Sequence, residues 1–472
     1  MIFNTSVYFG YHPPVDLTLK GRIIRRKTEG LNTLVSLYIV YKMSTRNKQT
    51  SSKTRRKQNN NNNHGWTVVS VKGTHYEMGL QHGRILRKQI ENVKPVLAYL
   101  VKKYYKTGIR EYVSRCNNIV EKYKGQKEWQ TIFDELQGIA EGSGVSIDFL
   151  IAWNMFLSMN EIYESNTDVQ RCSAFIATGS KTHDGKIVMA HNTHCDFSVG
   201  FISNIVMYMY PENGIPFVMQ TIAGLVCSST DWFISESGII GCETTIADIN
   251  YKPDFKSGGP YFFRIRKAME FGKTLDDYVS IMMDKNAGDY ACSWLFGDIN
   301  SGEILRLELA KKTHGIERTF DGVFYGMNCP FTPEMISMET THSELNDLKT
   351  SPGSRNHRFN QLLLSRTIDI PYAKKILSDH YDSSENVIRK GIRSICKHKE
   401  VEKGKDFNLS GAVDGKVVDS TLAREMRFIG RMGSSCGRVF NKSDYPDGEW
   451  KRVTPNMPNH DWVTLKGTAV PF

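Results

Sequence analysis

The apolar residues change their spacing at one point in the chain, and that change limits the folds open to it. Before Cys172 they recur every three to four residues: Leu86, Ile90, Val93, Leu97 and Leu100, then Trp129, Ile132, Phe133, Leu136 and Ile139. Such spacing lays one apolar stripe along a helix, so residues 75–160 are expected to be mostly helical, behind a strand at 66–72. After Cys172 the apolar segments are short and rich in β-branched residues, at 173–178, 186–190, 201–210, 216–222 and 238–246. Gly, Asp and a Pro-Glu-Asn-Gly turn at 211–214 punctuate them, which reads as hairpins. Helical spacing returns at 261–271 and 275–284. Strands are expected at 292–298 and 303–309, divided by the turn Ile299–Gly302, and at 319–327, with helices at 371–380 and 420–432. Blocks of helices and blocks of hairpins favour an α+β fold, with sheets covered by helices, over an alternating βαβ fold. No internal repeat of fixed period is present.

Hydrophobic residues make up 40% of the 472 positions, ample for a buried core. No run of 18 apolar residues occurs, so a membrane-spanning helix is not expected. The nine cysteines include no CxxC pair, which argues against a zinc ribbon or a thioredoxin-type site, and the odd count leaves at least one thiol unpaired. The net charge of +11 is not spread over the chain: residues 1–63 carry 12 Lys+Arg and 2 Asp+Glu, and the remainder 49 and 48. The basicity therefore belongs to a tail. Residues 44–63 (STRNKQTSSKTRRKQNNNNN) are polar and low in complexity, which predicts disorder. The cluster at 53–57 suits an anionic surface or nucleic acid, although no aromatic residue interleaves with it for stacking, and a solvated tail is the plainer reading. The apolar run Leu34–Tyr41 lies deep in the chain and lacks a small-residue cleavage site, so it makes a poor secretory signal. Translation from Met43 is an expectation that fits such an N-terminus.

Three places invite chemistry. Cys172 sits where a helical segment ends and a strand begins, a position that suits either an exposed nucleophile or a small core residue. His191-Asn192-Thr193-His194-Cys195-Asp196 holds four ligand-type side chains, but on a strand His191 and His194 point to opposite faces. No matching His/Cys/Asp cluster stands elsewhere in the sequence, so neither a metal nor a cofactor is expected. Gly433-Ser434-Ser435-Cys436-Gly437 fits G-x-S-x-G, with Asp444 and His460 downstream in triad order. A nucleophile elbow needs a strand before it and a helix after it, whereas Leu422, Met426, Ile429 and Met432 predict a helix before it. No P-loop or dinucleotide fingerprint is present.

Taken in order, several motifs resemble the phospholipase B-like proteins and the related autoproteolytic acyltransferases and hydrolases, among them the penicillin-tailoring acyltransferase. They are Gly73-Thr-His-Tyr-Glu-Met-Gly-Leu-Gln-His-Gly83, Cys172-Ser-Ala, His191-Asn-Thr and Gly241-Cys-Glu-Thr-Thr-Ile246. Asn328, Arg355 and Gly411-Ala-Val-Asp-Gly-Lys-Val-Val-Asp419 continue the set, which covers residues 66–472. The resemblance implies a four-layer αββα N-terminal nucleophile hydrolase fold, with two packed antiparallel sheets. It implies cleavage between Arg171 and Cys172, leaving 64–171 as a smaller helical chain bound to 172–472 as one folded unit. Cys172 would be the nucleophile, because a free α-amine, with a pKa of roughly 7.7–8.0, can take the thiol proton of its own residue.

By the same resemblance, Asn328 would donate to the oxyanion, His191 and Asn192 would form a polar pair beside the nucleophile, and Asp196 would orient the amine. Arg355 would pair with a carboxylate or a substrate anion. Glu243 and Thr244 would line the site or close a sheet edge; Lys416 and Asp419 are fainter matches. The substrate would be a lipid or an N-acyl small molecule, hydrolysed at an ester or amide bond, with the apolar stretches 201–210 and 216–222 available either to an acyl chain or as plain sheet strands. The match departs from the family at the N-terminus, where relatives are secreted or lysosomal, so localisation stays open; the sequons at Asn408 and Asn441 carry meaning only on a secretory route. Two other readings stand beside it: a non-catalytic binding or structural protein on the same fold, and a serine esterase using Ser435 and His460.

Overall fold

The computed structural model describes residues 63–163, 170–341 and 344–467. The basic tail, Met43 and the linker at 164–169 lie outside the described residues. The described chain opens with β1 (Thr67–Gly73), then five helices: α1 (His75–Ile85), α2 (Arg87–Leu100), α3 (Ile109–Val120), α4 (Gln130–Ser143) and α5 (Ile147–Asn154). Next come β2 (Gln170–Thr178), β3 (Val188–Asp196), the single turn α6 (Phe197–Gly200), β4 (Ile205–Pro211), β5 (Phe217–Thr221), β6 (Phe233–Ser235) and β7 (Ile239–Thr245). The helices α7 (Tyr261–Phe271) and α8 (Leu275–Met283) lead to β8 (Cys292–Asp298), β9 (Glu303–Leu309), β10 (His314–Thr319) and β11 (Gly322–Gly326). Then follow α9 (Pro333–Met338), α10 (Ser351–Ser365), α11 (Ile370–Leu377) and a minimal hairpin of β12 (Tyr381–Asp382) and β13 (Val387–Ile388). The last elements are β14 (Ser410–Asp419), α12 (Ser420–Arg424), β15 (Phe428–Met432) and β16 (Val463–Leu465).

Two sheets carry the architecture. The first has eight strands in the order β1-β4-β5-β6-β7-β8-β9-β10, the second six in the order β11-β2-β3-β14-β15-β16. They pack face to face, with Ile176 of β2 against Gly297 of β8. The helices α7 and α8 cover the larger sheet on β6, β8 and β9, and α10 and α11 cover the smaller one on β11, β3 and β14. This is an α+β fold of four layers, helix–sheet–sheet–helix. One pairing departs from the expected antiparallel sheets: β1 runs parallel to β4, so the first described strand is an edge strand laid on by a long connection.

Most expected elements form, and the exceptions have local causes. Residues 420–432 are not one helix. The helix stops at Arg424, Met426 takes a left-handed φ of 52°, and the chain continues as β15. Its burial alternates with Phe428, Gly430 and Met432 inside, so the real period was two, and Ile429 only imitated a helical position. The segment 319–327 divides at Phe320 and Asp321: β10 ends in the larger sheet and β11 begins in the smaller one, so the chain changes sheets there. Helix α10 hides behind Pro352-Gly353-Ser354, which reads as a loop but forms its first turn, with Pro352 near the start and Thr350 capping Gly353 N–H. The stretches 201–210 and 216–222 become the buried strands β4 and β5. Among the described residues no helix is long and apolar enough to cross a membrane.

The helical segment is built on close contact. Gly79 and Gly83 of α1 face Gly138 and Gly142 of α4, and a Cβ at Gly79 would stand 2.1 Å from the Glu135 carbonyl oxygen. A Cβ at Gly138 would stand 2.1 Å from the Tyr76 carbonyl oxygen. Only glycine lets the two backbones approach this far, which explains Gly79-Leu-Gln-His-Gly83 without appeal to chemistry. Gly79→Ala is expected to lower the free energy of unfolding by about 1–3 kcal/mol, the usual cost of overpacking, read as a fall in the urea midpoint.

Candidate active site around Cys172

Strand alternation decides which side chains meet Cys172. The residues Ala174 and Ile176 of β2 enter the core between the sheets, while Phe175 and Ala177 enter a second core beneath α10 and α11. Cys172 shares its parity with Ala174, so it faces the layer between the sheets, fully buried. Thr193 lies directly opposite it on β3, and His191 opposite Ala174. His191, Thr193 and Cys195 therefore share the Cys172 face; Asn192, His194 and Asp196 point the other way.

A β-bulge completes that face. Ala412 of β14 pairs with His194, and Asp414 pairs with Thr193, leaving Val413 as the extra residue. Without the bulge Asp414 and Lys416 would face α11. With it, Lys416 reaches Asp414 (2.7 Å) and Thr193 Oγ1 (2.9 Å) from a fully buried position.

The opposite sheet supplies Glu243 of β7. Its Oε1 lies 4.0 Å from Cys172 Sγ and accepts from the Tyr290 hydroxyl at 3.1 Å. Burial raises the Glu243 carboxyl to about 7, against the pull of donors from Cys292, Tyr290 and Thr245. His191 Nε2 lies 3.0 Å from the Glu243 main-chain oxygen. A carbonyl can only accept, so Nε2 carries the proton and Nδ1 holds the lone pair. That Nδ1 is buried with no partner among the described residues, and burial keeps the ring neutral by driving its pKa well below 6.5. Burial, reinforced by the charge of Glu243, pushes the Cys172 thiol well up; the His194 main-chain N–H and the Lys416 ammonium pull the other way. In the intact chain the thiol is therefore protonated, beside a Glu243 carboxyl that titrates near 7 and a neutral imidazole.

Arg355, on α10, clamps the same strand from behind. Its guanidinium donates to the Cys172 carbonyl (2.8 Å), Ser173 Oγ (3.1 Å), the Met327 carbonyl (2.6 Å) and Asn328 Oδ1 (3.0 Å), and Nε donates to the Ser351 carbonyl (3.1 Å). These bonds tie α10 to β2 and to the segment after β11, so Arg355 holds the Cys172 strand in place. Asn328 holds a left-handed φ of 80°, a strained state for a non-glycine residue of the kind that gathers at active sites. Its Nδ2 donates to the Thr245 carbonyl at 2.8 Å, and its Oδ1 accepts from Arg355.

Other expected site residues lie elsewhere. Asn192 donates to the carbonyls of Leu377 (2.7 Å) and Ile395 (3.3 Å) and accepts from Ser435 Oγ, so it ties β3 to the outer layer rather than standing beside the nucleophile. Asp196 caps α6 through Ser198 N–H (2.8 Å) and receives Lys103 (2.6 Å) and Tyr104 (2.7 Å); its face and its partners remove it from the amine. Thr244 Oγ1 is packed against Gly326, and Asp419 caps α12 through Leu422 N–H. Ser435 follows a strand, as an elbow requires, but a turn rather than a helix comes after it. Among the described residues no hydrogen bond joins Ser435 to His460, whose ring lies against Gly65, so the serine triad is not assembled.

Sequence reasoning missed Asp231 and Asp414. Asp231 is fully buried at a φ of 50°, with neither carboxyl oxygen bonded among the described residues, and burial beside Glu243 holds it protonated. Neither stands near Cys172 in the sequence, and only the pairing of β14 with β3 and the facing of the two sheets unites them. The sequence also shows no second ligand cluster, yet the fold gathers His380, Cys396, His398 and Cys436.

An apolar pocket lies at one remove from this centre, joined to it through Tyr261 and Tyr290. Trp153, Phe156 and Leu157 from before the linker line it together with Ile222, Leu225, Cys227 and Tyr261 from after it. Tyr261 packs on Tyr290 at 4.4 Å between ring centroids, and Tyr290 is the donor to Glu243.

No family model matches the chain. An uncharacterized protein of Archaeoglobus fulgidus is 23% identical over 254 residues, spanning 49% of this chain and 41% of that relative. Among solved structures, a mutant of the conjugated bile acid hydrolase of Clostridium perfringens aligns with a TM-score of 0.34 at 8% identity, covering 63% of this chain and 97% of that one. A second variant of the same hydrolase aligns with a TM-score of 0.28 at 10% identity, covering 65% and 92%. At these scores the likeness carries no argument about this chain, whose chemistry rests on its own geometry. Asp196→Ala is expected to cost about 1–2 kcal/mol of stability through the lost cap and to leave alkylation of the Cys172 thiol unchanged; altered alkylation would return Asp196 to the nucleophile's surroundings.

Proposed function

We propose that the chain is a self-processing cysteine hydrolase of the N-terminal nucleophile kind, cutting itself before Cys172 and then hydrolysing an acyl ester or amide. One observation carries the reading: the Cys172 thiol is buried between the sheets with Glu243 at 4.0 Å and a ring nitrogen of neutral His191 within 4.8 Å. In the first step Sγ attacks the Arg171 carbonyl carbon, and the thiol proton passes to Glu243. The C–N bond breaks, the Cys172 nitrogen takes a proton and becomes a free amine, and Arg171 is left as a thioester. Water cleaves the thioester, returning the thiol and leaving a carboxylate at Arg171. The new amine then serves as the base for turnover on substrate, and the second N–H of Asn328 is the oxyanion donor, where one donor typically contributes about 10²–10³ in rate. Arg355 and Lys416, both buried cations, favour the negative charge that develops.

The resemblance to phospholipase B-like proteins points to a lipid ester or an N-acyl amide. An apolar pocket whose wall, at Tyr261, packs on Tyr290 and so lies two residues from Glu243 offers an apolar surface for the acyl part of such a substrate. Its walls come from both sides of the cleavage point, so the smaller fragment would stay bound and help to hold substrate.

Intact mass under denaturing conditions tests the reading. The parent is expected to give two fragments parting between Arg171 and Cys172, and Cys172→Ala one uncut chain. Because Glu243 acts as the carboxylate, cleavage is expected to rise with pH to a plateau above about 7 and to fade as the carboxyl protonates below it. Glu243→Gln is expected to slow cleavage by about 10²–10⁴-fold and to abolish that pH dependence. A single uncut chain in the parent across this range would sink self-processing; cleavage in Glu243→Gln at the parent's rate would remove the role given to Glu243 alone.

A further inference from the structure

We propose that the chain binds one zinc ion at a structural site formed by His380, Cys396, His398 and Cys436, on the side of the smaller sheet away from Cys172. One ligand atom from each of the four lies within 4.8 Å of the others. The sulfurs of Cys396 and Cys436 each stand 3.4 Å from His398 Nε2. A tetrahedral zinc, with Zn–S near 2.3 Å and Zn–N near 2.0–2.1 Å, separates a sulfur from a nitrogen ligand by about 3.6 Å. The four side chains therefore stand close to the spacing a metal would impose.

The surroundings are those of a metal-binding imidazole. His398 Nδ1 lies 2.9 Å from Glu400 Oε1, and Arg438 Nε donates to the same oxygen at 3.1 Å. A carboxylate on Nδ1 fixes the proton there and turns the Nε2 lone pair toward the two sulfurs, the arrangement that orients histidine toward zinc. His380 Nε2 is buried with no hydrogen-bond partner among the described residues, and its ring packs 5.2 Å from that of His398. Two thiolates and two imidazoles form a closed donor set that suits zinc over harder cations and leaves no coordination position for a substrate.

The placement gives the ion work to do. His380 follows α11, Cys396 and His398 lie in the irregular stretch between β13 and β14, and Cys436 follows β15. That stretch holds little regular structure, and a metal would pin it to the end of β15. Next to Cys436, Ser435 donates to Asn192 on β3, so the ion would brace the strand whose other face carries His191 and Thr193. The inference does not depend on hydrolase activity, and Cys172→Ala serves as its control.

Elemental analysis of the purified full chain, paired with cobalt(II) replacement, tests it. About one zinc per chain is expected in the parent and in Cys172→Ala, and less than about a tenth of that in the double variant Cys396→Ser/Cys436→Ser. Glu400→Gln is expected to keep the site but weaken zinc binding about 10–100-fold in chelator competition. Should the double variant fail to fold, the parent still decides: its cobalt form is expected to show sulfur-to-cobalt charge transfer and the strong visible bands of tetrahedral coordination. Absence of stoichiometric metal and of the cobalt bands overturns the proposal. So does a disulfide between Cys396 and Cys436 in the intact mass, or loss of the metal in Cys172→Ala, which would move it to the Cys172, His191 and Glu243 group.

Discussion

The pairing of β2 with β3 is the constraint on which the rest of the structure depends. Both strands are buried on both faces, one against the larger sheet and one against α10 and α11. Each residue therefore has a layer fixed by its parity, and a slip of one position would exchange every side chain between layers. The register Cys172 to Thr193 sends Cys172 and His191 to the buried layer between the sheets and Asn192 and Asp196 to the outer layer. The same rule explains why two neighbours that the family resemblance treats as one polar pair, His191 and Asn192, end on opposite sides of a sheet.

That buried layer holds more charge than a core of its size tolerates without reason. Lys416, Asp414, Glu243 and Asp231 are all fully buried within it, and Arg355 lies behind the same strand. Burying an ion costs several kcal/mol unless a partner or hydrogen bonds offset it. Lys416 and Asp414 offset one another at 2.7 Å, and the Arg355 guanidinium donates to five oxygens around the Cys172 strand. Among the described residues Glu243 and Asp231 have no such ion pair and instead hold raised pKa values, so at least one proton is stored near Cys172. A region that spends stability on carboxyls buried without a cation and on the left-handed backbone of Asn328 and Asp231 is shaped by something other than packing.

Elements whose pattern was local were legible in the sequence. The helix at 261–271 and the strands at 292–298 and 303–309 carry period and punctuation within a single window, and the structure places them at those positions. What failed was either ambiguous within the window or decided outside it. The residues 422–432 fit two periods, and the left-handed Met426 chose between them. The parallel pairing of β1 with β4, the bulge at Val413 and the approach of Glu243 to Cys172 are tertiary facts with no local mark. The His/Cys cluster had a faint one: Cys396, His398 and Glu400 alternate, which on an extended segment sets a thiol, an imidazole and a carboxylate on one side. Cys436 and His380 lie too far along the chain for that alternation to announce them.

The bond before Cys172 can be lost without loss of the fold only if the two segments are held by something other than the linker. Buried polar contacts across it supply that. Arg266 of α7 meets Glu135 of α4 at 2.6 Å, and His75 of α1 meets Glu270 at 2.7 Å. Asn154 reads both faces of one loop, donating to the Gly224 carbonyl (3.0 Å) and accepting from Val226 N–H (2.9 Å). The Gly224 N–H in turn donates to His82 Nε2 at 2.9 Å, and burial keeps that ring neutral with a pKa of about 3, so the acceptor survives any physiological pH. Breaking any one of these would leave a buried polar group unpaired, at about 1–3 kcal/mol each and more for the charged pairs. Separation of the segments would break all of them together, along with the shared apolar core and the β1–β4 ladder. A cut there would therefore free an amine at Cys172 while the two segments, and the pocket they line together, stay in place.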